Sequence, residues 1–134
     1  MKPEDYDKAY LDFHLQMLSA FINRIKVQPP FSLEDCNQED QDFLNQLIQL
    51  PHSEGSEHLI QGQYLLCRIV AAYPHLMPLL PRDLLWFFGG DCLHYMPDEE
   101  IEHFQQLDEK LQQAKHNKEA FSYEQARLNV FGLH

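Results

Sequence analysis

Residues Pro3–Lys26, PEDYDKAYLDFHLQMLSAFINRIK, decide the fold. Their apolar side chains fall on two adjoining helical rows. One is Tyr6, Tyr10, Phe13, Met17 and Ala20; the other is Leu11, Leu15, Leu18, Ile22 and Ile25. Rows at these spacings merge into one wide stripe on an α-helix, wider than a surface helix with a single contact requires. Pro3 suits a first helical turn, and Pro29-Pro30 ends the segment. The spacing predicts a long helix that packs against several neighbours.

The same signals repeat along the chain. Asn37 can cap a helix over 38–50 carrying Phe43, Leu44, Leu47 and Ile48, which Pro51 stops. Ser56 can cap a third helix reaching Tyr73, before Pro74. Pro81 and Gly89-Gly90 bracket a short helix over 82–88. Pro97 opens a fifth helix, with Asp98, Glu99 and Glu100 at its start and Lys110, Lys115 and Lys118 near its end, the order the helix dipole favours. Ser122-Tyr-Glu-Gln125 is a capping box for a last helix that Gly132 ends. Alternating strand-like runs are few, and the chain has no threonine. The expectation is an all-α fold, one domain over 1–134, built as a bundle of five or six helices. At 134 residues the chain can bury a sizeable core without a disulfide or structural metal.

Reactive side chains are densest in Phe87–Phe104, FFGGDCLHYMPDEEIEHF. On a helical wheel at about 100° per residue, Ile101, Phe104, Leu107, Leu111 and Ala114 form one apolar stripe. Asp98, Glu99 and Glu102 project away from it and should be wet. Glu100 points into the stripe and His103 lies at its flank. A carboxylate directed at a core needs a partner or a raised pKa. Two readings follow. In the first, Asp91, His94, Glu100 and His103 form a mixed nitrogen and oxygen site suited to zinc, iron or manganese. The single Glu-x-x-His pair does not support a di-iron carboxylate centre, which takes two copies and two further acids. In the second, Arg68 turns inward from the third helix and forms a structural ion pair with Glu100 or Asp91, its planar guanidinium fitting a carboxylate. The alternative for Arg68 is a solvent-facing polar stripe with Glu57, Gln61 and Tyr64. The structural network is the favoured reading.

His75–Phe88 concentrates large apolar residues, and Leu80, Leu84, Trp86, Phe87 and Phe88 are candidate interface residues for a homodimer seam or a partner groove. A pocket lined by Trp86, Phe87, Phe88 and Tyr95 is a further option. The other histidines carry little: His14 and His58 sit on predicted helices, His52 and His75 in turns, and His116 and His134 should be wet. His52 and His58 flank Glu54 and Glu57, where weak metal binding is conceivable. Cys36, Cys67 and Cys92 are odd in number and far apart, as suits free thiols in a reducing cytoplasm. Cys67 reads as a small core residue, and Cys92 beside His94 is poorly spaced for a thiolate–imidazole pair.

The formal net charge is -11, and it is unevenly spread. No Lys or Arg occurs from Val27 through Cys67, which holds seven acids, nor from Asp83 through Glu109, which holds eight. Such surfaces repel phosphate backbones and anionic membranes, so no nucleic-acid or membrane partner is expected. The longest unbroken apolar run is the five residues Leu84–Phe88, far short of a membrane span, and the charged N-terminus is not a secretory signal. Motifs of nucleotide-binding, serine-hydrolase and zinc-protease chemistry are missing. The composition therefore points to a cytoplasmic, non-catalytic interaction or regulatory module with an acidic face and a hydrophobic patch, binding a protein partner or a second copy. The alternative is a small metal-dependent or acid–base enzyme using the Asp/His/Glu/His cluster.

Overall fold

A computed structural model describes residues Lys2–Gly132. The expectation for His134 lies outside them. Among the described residues there are six α-helices: α1 Pro3–Ile25, α2 Gln38–Gln49, α3 Gly55–Ala72, α4 Arg82–Phe88, α5 Asp98–Asn117 and α6 Tyr123–Phe131. Three short 3-10 turns, Leu50–His52, Pro74–Leu79 and Gly90–Tyr95, complete the helical structure. Segments of three to six residues are too short to show a helical period, so the sequence pattern does not predict them. No strand is present among the described residues.

The ends follow local chemistry. The Asn37 side chain accepts the Asp40 N–H at 2.8 Å, and the Ser122 hydroxyl accepts the Gln125 N–H at 3.2 Å. Each satisfies a donor that a helix start leaves free. The predicted Ser56 cap is replaced by Glu54, with Gly55 already inside α3. Gly89 ends α4 with φ of 66°, a conformation open to a residue without Cβ.

One apolar cluster draws Leu18, Phe21 and Ile25 from α1, Phe43 and Leu47 from α2, and Leu65, Leu66 and Ile69 from α3. Leu84, Leu85 and Phe88 of α4 and Phe104 of α5 complete it. A smaller cluster joins Tyr6 of α1 to Leu111 and Ala114 of α5. The wide stripe of α1 is thus explained: different parts of it meet α2, α4 and α5. Two features of α1 differ from the wheel. Ala20 and Leu11 face solvent, and His14 is fully buried.

The fold also overturns the expected interface. Leu80, Leu84 and Phe88 are buried in the core, and Trp86 and Phe87 pack against it. Trp86 stacks on Phe104, and Phe87 lies flat against His14 with ring centroids 4.7 Å apart. The short α4 is wedged between α1, α3 and α5, so most of its apolar surface is spent on the core and Trp86 and Phe87 are left only partly exposed. Phe88 is taken up by the core while Tyr95 is exposed on the surface, so the four aromatic residues Trp86, Phe87, Phe88 and Tyr95 differ in their surroundings.

Candidate functional site

Arg82 and Asp83 open α4, and their side chains diverge. Arg82 donates through Nε to Glu100 Oε1 at 2.7 Å and through Nη2 to the Tyr95 carbonyl at 2.7 Å. Asp83 turns into the protein, where its carboxylate is 3% exposed. Arg127 of α6 grips both its oxygens, at 2.6 and 2.8 Å. This bidentate geometry, worth more than a single contact, raises the Arg127 pKa further. The two ion pairs border a groove of about 630 Å³ with apolar walls from Met77, Leu80, Phe104 and Phe131. Glu100 and His103 of the sequence reading lie here, and His103 sets its ring edge against Phe131 at 5.5 Å.

Behind Asp83 lies a buried polar and aromatic node. His14 packs among Tyr10, Phe13, Phe87 and Tyr123, with ring centroids 4.4 to 5.5 Å away. Its Nδ1 donates to the Tyr10 carbonyl at 2.7 Å, which leaves Nε2 buried and without a partner. The Tyr123 hydroxyl and Asp108 Oδ1 are also buried without partners, while Asp108 Oδ2 accepts the Trp86 indole N–H at 3.0 Å. Burial is the main cause of raised pKa values at Tyr10, Tyr123 and Asp108 and of a lowered one at His14. For His14 and the two tyrosines burial favours the neutral ring, as a low-dielectric site should.

This burial has a measurable consequence. With its folded pKa below the ordinary 6.5, His14 takes up a proton more readily in the unfolded chain. Its contribution to stability is complete above pH 6.5 and is lost as pH falls below it. Urea unfolding between pH 7 and 5 should show stability falling with pH, with a slope from this one group of at most about 1.4 kcal/mol per pH unit. His14→Phe should flatten that slope; an unchanged slope would assign it elsewhere.

The other expected site residues fall apart spatially. Asp91 and His94 meet each other at 3.8 Å on the outside of the Gly90–Tyr95 turn, with side chains 87% and 81% exposed. Among the described residues, no three His, Cys, Asp or Glu side chains gather as a metal ion needs. The joint site of Asp91, His94, Glu100 and His103 for zinc, iron or manganese is therefore not formed, nor is a cluster around His52 and His58. The turn points one pair outward, and α5 carries the other pair into the groove. The Arg68–Glu100 pair is not formed either. Arg68 reaches Glu39 of α2 at 3.3 Å and lies 5.1 Å over the Phe43 ring, so the stripe it shares with Tyr64 lies on the surface side of α3. Glu100 did need an arginine, but Arg82 was nearer. Arg82 stands at the start of α4 beside the start of α5, a proximity that only the packing of the two helices creates.

The class defined by this fold and groove is a small all-helical protein whose polar centre consists of mutually neutralised ion pairs. The chain belongs to the PA2817-like family, whose model matches residues 6–133. No curated protein and no solved structure matches it.

Proposed function

We propose that the protein is a non-catalytic interaction module that binds its partner on the outer face of α3. One observation carries this reading. Ile60 and Tyr64, one turn apart, are 65% and 56% exposed on a helix whose opposite face is core. Tyr95 extends the patch, as its hydroxyl neighbours the Cys67 thiol one turn beyond Tyr64. A contiguous exposed apolar patch of this kind suits recognition better than scattered single residues do. Its surroundings are acidic: Glu57 on α3, Glu39 and Asp42 on α2, and Asp91 on the following turn are all exposed. The local cation, Arg68, is already held by Glu39. The partner is accordingly a protein surface that is basic around an apolar centre, since complementary charge steers and orients such encounters.

Free thiols at all three cysteines fit a cytoplasmic setting. Among the described residues no helix is long and apolar enough to cross a membrane. The acid–base alternative has less support. Glu100 is engaged by Arg82, and both oxygens of Asp83 by Arg127.

Photo-crosslinking in native cells tests the proposal. A benzophenone side chain at position 64 should give a discrete adduct with a basic protein, and the same probe at exposed Lys8 on α1 should not. Ile60→Asp should weaken that association about tenfold, near 1.4 kcal/mol. Adducts no stronger than at position 8, or adducts only between copies of this chain, would overturn the heterologous partner.

A further inference from the structure

Cys92 sits inside the Gly90–Tyr95 turn, fully buried, with its thiol 3.8 Å from the Gln63 carbonyl. In α3 that same carbonyl accepts the N–H of Cys67, four residues on. The Cys92 sulfur therefore arrives beside the Cys67 backbone. The Cys67 thiol in turn neighbours both the Cys92 thiol and the Tyr95 hydroxyl. Two features hold the turn against the helix. Gln63 Nε2 donates to the Phe88 carbonyl at 2.8 Å. Gly90 has φ of 56°, a backbone conformation that favours glycine, and a Cβ there would also meet the end of the Gln63 side chain at 2.7 Å. Both sulfurs are free thiols; Cys67 is partly exposed and Cys92 is enclosed.

We propose that Cys67 and Cys92 are an oxidation site, converted by a hydroperoxide into an internal disulfide that ties α3 to the Gly90–Tyr95 turn. The sulfur of Cys67, the less buried of the two residues, attacks the peroxide. The O–O bond breaks, one oxygen stays on sulfur as a sulfenic acid, and the other leaves as water or an alcohol. The Cys92 sulfur then attacks the Cys67 sulfur. An S–S bond forms, the S–O bond breaks, and the departing hydroxide takes the Cys92 proton as water. The peroxide gains two electrons, and each cysteine sulfur loses one. The order of events follows from access. Burial, and then the neighbouring Cys67, push the Cys92 thiol up to about 12, so it stays protonated and closed to the oxidant. Neither sulfur needs a docked partner for this chemistry, so crosslinking at position 64 and oxidation here succeed or fail separately.

The full chain treated with hydrogen peroxide, alkylated and mapped without reduction should yield a Cys67–Cys92-linked peptide two hydrogens lighter than its dithiol. Dithiothreitol should reverse it, and Cys36 should be recovered alkylated. In Cys92→Ser the linked peptide should vanish, and a 1,3-dione should capture sulfenic acid at Cys67. A wild-type chain in which Cys67 advances to sulfinic acid while Cys92 stays a thiol would overturn the proposal, as would a bond to Cys36. This wild-type readout does not depend on any variant folding.

Discussion

Arg127→Met should lower the unfolding free energy by about 3–5 kcal/mol, read from urea denaturation at neutral pH. Methionine keeps the contact with Phe13 and Phe131, over which the guanidinium lies at 6.0 and 5.7 Å. What it removes is, among the described residues, the only side-chain donor set on Asp83, two bonds of 2.6 and 2.8 Å to a carboxylate 3% exposed. An unpaired carboxylate in that position costs far more than the pair contributes. The double change Asp83→Leu with Arg127→Met should therefore recover most of the loss, because it removes the charge and its partner together. A loss below about 1 kcal/mol in the single variant would place the site with ordinary surface pairs.

Gly62→Ala should destabilise the protein by about 2 kcal/mol, although alanine is the better helix former by about 1 kcal/mol. Gly62 is buried in α3, and a Cβ there would stand 2.2 Å from two carbons of the Phe88 ring. The ring has little room to yield, since Phe88 is itself core and packs on His58 and Phe87 at 5.3 and 5.0 Å. Overpacking of this kind forces backbone or rotamer shifts. Phe88→Leu should be less harmful in the Gly62→Ala background than alone. Stabilisation by Gly62→Ala, as at an exposed helical site, would mean that α3 and α4 are not in close contact.

Much of the architecture was legible before any tertiary contact was known. Prolines 29, 51, 74, 81 and 97 mark the breaks, Asn37 and Ser122 cap helices as expected, and Gly132 ends the last one. These signals are local: each involves backbone groups within four residues of the side chain. The α5 wheel also held. Phe104, Leu107, Leu111 and Ala114 are buried, while Asp98, Glu99 and Glu102 are exposed.

The site was less legible. The sequence marks Glu100 as a carboxylate in need of a partner or a raised pKa, and the arginine that meets it is Arg82 rather than Arg68. His14 was passed over because it falls between the two apolar rows of α1 and looks polar on a wheel. Phe13, Phe87 and Tyr123 make that position core, and two of those residues come from elsewhere in the chain. Asp83 carried no signal at all beyond standing after Pro81-Arg82, as any acid at a helix start would. The misplaced hydrophobic patch has the same origin. His75–Phe88 concentrates large apolar residues, and the fold buries most of them; Ile60 and Tyr64 of α3 are left outside.

The sequence by itself thus determined the helices, their caps and breaks, and the inward face of α5, because these rest on backbone hydrogen bonding and a period of 3.6 residues. Only the tertiary structure decided which arginine meets which carboxylate, which histidine is buried, which apolar residues stay exposed and which thiols are neighbours. Those outcomes depend on approaches between residues as distant in the chain as Asp83 and Arg127, and on where Gly62 and Gly90 leave room for the Phe88 and Gln63 side chains. Side-chain identity sets what each group needs; only packing determines which neighbour is near enough to supply it.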